Sequence, residues 1–208
     1  MPNSMEWIPA LLFESFIVLL VTRFITVPLL VVVHELGHAA AVARAGHRPV
    51  VVIGRRAPIF VRDFRRFDLL LHPGIAIDYF RIRDEDEEPS DTHIARCAYS
   101  PIGMTVRELR SIAKSGPRAS ILAGLVLAEV AYLIGDPLSM VFWIVTLGSA
   151  FAWYEGITTL IAFEPNGLPS DGARIEELRG LEDDEVPNPF PTNHLGRDAP
   201  PPVAASAR

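Results

Sequence analysis

Apolar residues are concentrated in three long blocks of the chain. The first covers residues 16–33 with Arg23 as its only charge, the second covers residues 119–135, and the third covers residues 138–163. Because a bilayer core of about 30 Å requires roughly 20 mostly apolar helical residues, this pattern predicts three membrane-spanning helices. Residues 7–22 extend the first block, and they predict either one long helix, kinked at Pro28, or an interfacial segment.

The segment between the first two blocks, residues 46–117, has a different pattern. Short apolar runs alternate with Gly, Pro and charged residues in the sequences PVVVIG, APIFVRDF, RFDLLL and GIAIDYFRI. Such runs are typical of β-strands. A short amphipathic helix is predicted from Thr105 to Lys114. The predicted fold class is therefore an α-helical integral membrane protein with three transmembrane helices and a small β-sheet insertion.

The basic residues predict an orientation in the membrane. Fourteen of the 19 Lys and Arg residues lie between Arg44 and Arg118, and cytoplasmic segments carry the excess of these residues. This predicts a multi-pass protein of the cell membrane with its N-terminus outside, residues 46–117 and the C-terminus in the cytoplasm, and an external turn at residues 135–137. The net charge of −6 disfavours a nucleic-acid partner.

The end of the chain differs from the apolar part. Residues 182–185 are all acidic, and six prolines follow by Pro202. This composition is typical of disorder. We therefore predict a membrane-embedded core over residues 1–175 and a disordered tail over residues 176–208.

The candidate chemistry is the HExxH motif of residues 34–38, which follows the first apolar block. In a helix, positions i and i+4 share a face, so His34 and His38 can direct their imidazoles to one ion. Zinc fits two imidazoles and a carboxylate, with a fourth position for a water whose pKa the metal lowers to about 7. Glu35 is placed to take that proton as a general base. The single cysteine, Cys97, excludes a site built from several thiolates.

A third protein ligand is expected from another span at a similar depth. Asp171 follows the third apolar block, and the predicted topology brings the ends of the first and third spans to the same side of the membrane. The alternative for an Asp before Gly is an ordinary turn residue. We predict a zinc site formed by His34, His38 and Asp171.

Three motifs resemble those of the site-2 protease family, the membrane-embedded zinc metalloproteases of regulated intramembrane proteolysis. They are VVVHELGHAA, SGPRASILAG and SDGARI, in the family's order. The resemblance implies a three-helix catalytic core with zinc on His34, His38 and Asp171 and with Glu35 as general base. It also implies hydrolysis of a peptide bond in or near a transmembrane segment of a substrate protein or peptide within the lipid bilayer.

The chain departs from the family pattern before Asp171. The family usually has an Asn, a Pro three residues later, and the Asp-Gly pair several residues after that. Asn166 and Pro169 have the Asn-to-Pro spacing but lie too close to Asp171, and the other register puts Thr159 at the Asn position. The sequence thus leaves two candidates for a substrate-binding role, Asn166 and Thr159. Ser120 also stands where an Asn often follows the Gly-Pro motif.

Other functional classes fit parts of the same sequence. A catalytically inactive membrane binding or scaffold protein would keep the fold and lose the chemistry, and a soluble HExxH metalloenzyme would bury its apolar helices. Glu129 and Glu155 interrupt the second and third apolar blocks. Each either lines a water path to the metal or faces protein or lipid headgroups.

Overall fold

The computed structural model describes residues 8–54, 60–71, 95–161 and 170–184. Over these ranges the chain is mostly helical and contains one small sheet. Three helices are long and apolar enough to cross a membrane: Ile8–Arg44, Val106–Ile134 and Met140–Thr158. In their most apolar stretches only 28%, 22% and 22% of the residues are buried inside the protein. Most of their apolar surface therefore faces outward.

The first helix is continuous and consists of α1 (Ile8–Val21), a π-helical segment (Thr22–Thr26) and α2 (Val27–Arg44). The stretch before residue 22 is thus part of one long helix, the first of the two predicted forms. The irregularity lies just before Pro28 rather than at it. Pro28 itself stands in the first turn of α2, where its missing N–H is tolerated.

The second and third long helices are α3 (Val106–Ile134) and α4 (Met140–Thr158). A capping box starts α3, because Thr105 and Glu108 satisfy each other's backbone N–H groups. The helix ends at Gly135, whose φ of +63° is a left-handed conformation that favours glycine. The short amphipathic helix predicted before the second span is the beginning of α3, since the helix continues through Pro117.

The sheet has the strand order β2-β3-β1-β4. Its strands are β1 (Val50–Ile53), β2 (Phe60–Phe64), β3 (Phe67–Leu71) and β4 (Ala95–Ala98). Strand β1 is parallel to β3 and antiparallel to β4, while β2 and β3 form an antiparallel hairpin. Three of the four predicted runs are strands; the fourth, residues 74–82, lies outside the described residues.

The sheet packs against the half of α2 that contains the HExxH motif. Val51 and Ile53 of β1 are buried against Ala39, with Leu36 and Cys97 packed around them. The β-branched residues of β1 thus cover one side of α2, while α3 packs on another.

A short helix, α5 (Asp171–Glu177), is held against α3 by the residues that follow it. Arg110 donates to the carbonyl oxygens of Leu178 at 2.7 Å and Leu181 at 2.9 Å. It also pairs with Asp183 at 2.5 Å, and Leu178 is buried in the core. Residues 176–184, which the sequence assigned to the tail, therefore pack on α3. Residues 185–208 of the predicted tail lie outside the described part of the chain.

Candidate metal centre

Helix α2 presents both histidines of the motif to the protein interior. His34 and His38 are 6% and 8% exposed, and their Nε2 atoms are 3.2 Å apart. The ring centroids lie 4.9 Å apart. His34 and His38 therefore lie on one face of α2, as their i, i+4 spacing predicts.

Asp171 reaches the same place from the first turn of α5. The Ser170 hydroxyl caps this helix by accepting the Ala173 N–H at 3.1 Å, and the Gly172 N–H donates to the Thr159 carbonyl at 2.8 Å. A Cβ on Gly172 would overlap the backbone at Leu160, just after the end of α4. The Asp-Gly pair is therefore helical, and its glycine permits the close approach that brings Asp171 to α2.

The three side chains form a small triangle of possible ligand atoms. Asp171 Oδ2 lies 3.2 Å from His34 Nε2, and Asp171 Oδ1 lies 3.3 Å from His38 Nε2. With one ligand atom per residue, all three atoms lie within 4.8 Å of one another. Metal–ligand bonds of about 2.0–2.1 Å in a tetrahedral site separate neighbouring ligand atoms by roughly 3.3 Å. The spacing therefore fits a metal ion held by three protein ligands.

The other ring nitrogens already have partners. His38 Nδ1 donates to the Ile112 carbonyl at 2.8 Å, and His34 Nδ1 lies 3.0 Å from the Ser120 hydroxyl. A carbonyl can only accept, so His38 must carry its proton on Nδ1. The two Nε2 atoms are left to face each other and a carboxylate, an arrangement that needs a proton or a metal ion between the groups.

The charge state of Asp171 suits a ligand. Burial alone would raise the pKa of this carboxyl group, but the facing His38 and His34 imidazoles outweigh burial and lower the pKa to about 2. Asp171 is therefore ionised at neutral pH.

Glu35 lies beside the triangle rather than in it. Its carboxyl group is close to the backbone N–H of Cys97 on β4. Burial raises the pKa of the Cys97 thiol, and it raises the pKa of the nearby Tyr99 to about 12. Both groups stay protonated at neutral pH, so neither adds an anionic ligand.

Helix α3 passes the histidines at Gly116. A Cβ at this position would overlap the imidazoles of both His34 and His38. On α2, a Cβ at Gly37 would lie 2.6 Å from the Ser115 carbonyl oxygen and 2.7 Å from the Ala119 Cβ. The two glycines therefore set how closely α2 and α3 approach.

The remaining sequence candidates have different outcomes. Asn166 lies outside the described residues, and Thr159 supports α5 through the carbonyl that accepts from Gly172. The Thr159 hydroxyl donates to the Glu155 carbonyl oxygen at 2.8 Å. Glu129 is exposed, whereas Glu155 is buried and accepts a hydrogen bond from Ser120. The sequence gives no indication of the roles of Ile112 and Gly116, because Ile112 acts through its backbone carbonyl and Gly116 acts through the absence of a side chain.

Comparison of the chain with protein-family models, with curated proteins and with solved structures finds no match.

Proposed function

We propose that this chain is a zinc-dependent intramembrane endopeptidase of the site-2 protease type, which hydrolyses a peptide bond in or near a transmembrane segment of a membrane-protein substrate. The observation that carries the proposal is the triangle of His34, His38 and Asp171 beside Glu35. Two of its members belong to a helix apolar enough to span a bilayer. Ionisable residues inside such helices are expensive, and they generally mark functional sites.

The proposed orientation follows from charge. Placing residues 46–117 in the cytoplasm puts most Lys and Arg residues on the side where they are usually found. Both histidines then lie near the cytoplasmic end of the first span, and α5 follows the third span on the same side. The sheet that packs on α2 would cover the site from the cytoplasm.

Zinc is the metal we assign, since two imidazoles and one carboxylate with an open fourth position form a donor set typical of catalytic zinc. When bound there, zinc polarises the substrate carbonyl and lowers the pKa of a water molecule. His34, His38 and Asp171 would hold the ion; both histidines are buried and the Asp171 side chain is 18% exposed, so the ligands are largely kept from bulk solvent.

Glu35 serves as the general base. It follows His34 directly on α2, so its carboxylate lies next to the ligands without being one of them. Glu35 accepts a proton from the attacking water and then gives it to the nitrogen that leaves when the peptide bond breaks. The substrate helix must unwind at this point, because helical carbonyls are already hydrogen-bonded and shielded.

Metal analysis of the detergent-purified chain, combined with cleavage of a synthetic transmembrane peptide, tests the proposal. We expect about one zinc per wild-type chain, with zinc and cleavage both lost in His34→Ala and Asp171→Ala. Glu35→Gln should keep the zinc and lose cleavage, because it removes only the base.

Matched controls are a histidine and an aspartate outside the cluster. His47 lines a surface depression beside Arg44, and Asp136 lies in the turn between α3 and α4. His47→Ala and Asp136→Ala should keep both zinc and cleavage. Wild-type protein without zinc, or an Asp171→Ala variant that still binds zinc and cleaves, would contradict the assignment. Zinc binding without any cleavage would favour the scaffold alternative.

A further inference from the structure

A buried path of hydrogen bonds leads from the metal cluster into the neighbouring helices. His34 Nδ1 on α2 lies 3.0 Å from the Ser120 hydroxyl oxygen on α3. The Ser120 hydroxyl in turn donates to Glu155 Oε2 on α4 at 3.3 Å. Ser120 is 0% exposed and Glu155 is 9% exposed. The path thus connects three long helices at the level of His34.

The direction of each hydrogen bond follows from what the groups can donate. The Ser120 hydroxyl donates its proton to Glu155 Oε2, so this proton points away from His34. The Ser120 oxygen then offers only lone pairs to His34, and His34 must carry its proton on Nδ1. In the neutral imidazole, Nε2 then carries no proton and faces Asp171 and His38, and this is the tautomer that a metal ligand needs.

The packing of α3 against α4 is what allows Glu155 to reach Ser120. A Cβ on the neighbouring Gly156 would lie 2.7 Å from Ile121 Cγ1 and 2.8 Å from the Pro117 carbonyl oxygen. The absence of a side chain at Gly156 therefore lets the two helices meet closely beside Ser120. Burying a carboxylate among apolar helices is costly unless it is hydrogen-bonded, and Ser120 supplies such a bond.

We propose that Ser120 and Glu155 are positioning residues that fix the ring orientation and the tautomer of His34 for metal binding. Ser120 meets His34 at Nδ1, the ring nitrogen that does not face the cluster, and Glu155 meets Ser120, so both act through His34. The inference rests on the metal site of the proposed function, and it adds to that function two residues that the ligand motifs do not include.

The test measures Zn²⁺ affinity of the full chain in detergent by competition with a chromophoric chelator. Loss of a hydrogen-bond partner of a ligating histidine typically lowers metal affinity about 10–100-fold, and we expect that loss in Ser120→Ala. Glu155→Gln keeps an acceptor of similar size but loses the charge, so its affinity should fall by less. Glu155→Gln also keeps the test valid if Ser120→Ala reduces folding.

Two further readouts separate positioning from a general loss of packing. Co²⁺ bound in place of zinc should give a visible absorption spectrum that differs between Ser120→Ala and wild type, because the His34 ring is no longer fixed. The double variant with Ser120→Ala and Glu155→Gln should bind Zn²⁺ about as weakly as Ser120→Ala alone, since both residues act along one path.

Ser149→Ala is the matched control. Ser149 is another buried serine between the same two helices, and its hydroxyl donates to the Gly124 carbonyl at 2.8 Å, away from His34. This variant should bind Zn²⁺ as wild type does. Wild-type affinity and an unchanged Co²⁺ spectrum in both Ser120→Ala and Glu155→Gln would overturn the positioning role while leaving the proposed function intact. A wild-type chain that binds neither ion would overturn the metal site itself.

Discussion

The candidate metal centre has two histidine halves, one formed by His34 with its hydrogen-bond partner and one by His38 with its own partner. The two halves are built differently, although His34 and His38 lie one helical turn apart on α2. The His34 ring is held by a side chain, the hydroxyl of Ser120, and this hydroxyl is itself hydrogen-bonded to Glu155. The His38 ring is held by the backbone carbonyl of Ile112. A side-chain partner can be removed by one substitution, whereas a backbone partner moves only when the helix moves. The His34 half therefore depends on residue identity, and the His38 half depends on the course of α3.

Both partners nevertheless belong to one face of α3. Ile112, Gly116 and Ser120 follow one another at intervals of four residues, so they lie on successive helical turns. Gly116 stands between the two hydrogen-bond partners and leaves space for both imidazoles. This face of α3 supplies one hydrogen-bond partner for each histidine and, at Gly116, the space that both imidazoles occupy. Helix α3 therefore positions both histidines although it contributes no metal ligand.

The largest effect is expected from Gly116→Ala, which disturbs both halves at once. The added methyl group would overlap the imidazoles of His34 and His38, so the rings must turn or α3 must move away. We expect Zn²⁺ affinity to fall by more than about 100-fold, beyond the loss typical of one outer hydrogen-bond partner. Chelator competition with the purified chain measures this loss.

Gly124→Ala separates the effect on the site from an effect on helix packing. Gly124 is also on α3, and a Cβ there would overlap the ring of Trp153 on α4 rather than a histidine. The variant should lower thermal stability but keep most of the Zn²⁺ affinity. If Gly124→Ala and Gly116→Ala lose Zn²⁺ affinity equally, packing and not ring clearance controls the site.

Gly172→Ala is expected to have the next largest effect, because it acts on the third ligand and leaves both histidine halves intact. A Cβ on Gly172 would overlap the backbone at Leu160 and Ile161 and push α5 away from α4. Asp171 would move with it, and we expect Zn²⁺ affinity to fall about 10–100-fold, as for other disturbed ligand supports. Gly148→Ala, whose Cβ would meet the Thr26 side chain in another part of the helices, should keep wild-type affinity. Unchanged affinity in Gly172→Ala would mean that α5 adapts without moving Asp171.

The sequence predicted the parts of this fold that depend on local pattern. Long apolar blocks gave the three long helices, and the i, i+4 spacing placed His34 and His38 on one face. Asp171 was predicted because it follows the third apolar block, and the predicted topology brings the ends of the first and third spans to the same side of the membrane. Strand β4 was not predicted, since the short sequence ARCA has little β-branched or aromatic character.

The supports of the site were harder to predict because they join residues far apart in sequence. Ser120 is 86 positions from His34, and Glu155 is a further 35 positions from Ser120. The sequence singled out both residues but gave no contact between them. The Ile112 carbonyl could not be found at all, because every residue carries a carbonyl and only the packing of α3 on α2 selects this one.

The smallest effect is expected from Ser115→Ala, and it sharpens the contrast between the halves. The Ser115 hydroxyl donates at 2.5 Å to the Ile112 carbonyl, the same oxygen that accepts from His38 Nδ1. Removing Ser115 Oγ takes away one of two donors to that oxygen and leaves the bond to His38. Because a single neutral hydrogen bond contributes only about 1 kcal/mol, we expect Zn²⁺ affinity to stay within about threefold of wild type, against the much larger loss in Ser120→Ala. The same chelator competition compares the two serine variants directly. If Ser115→Ala loses as much Zn²⁺ affinity as Ser120→Ala, the His38 half also depends on a side chain, and the backbone of α3 is not sufficient to hold it.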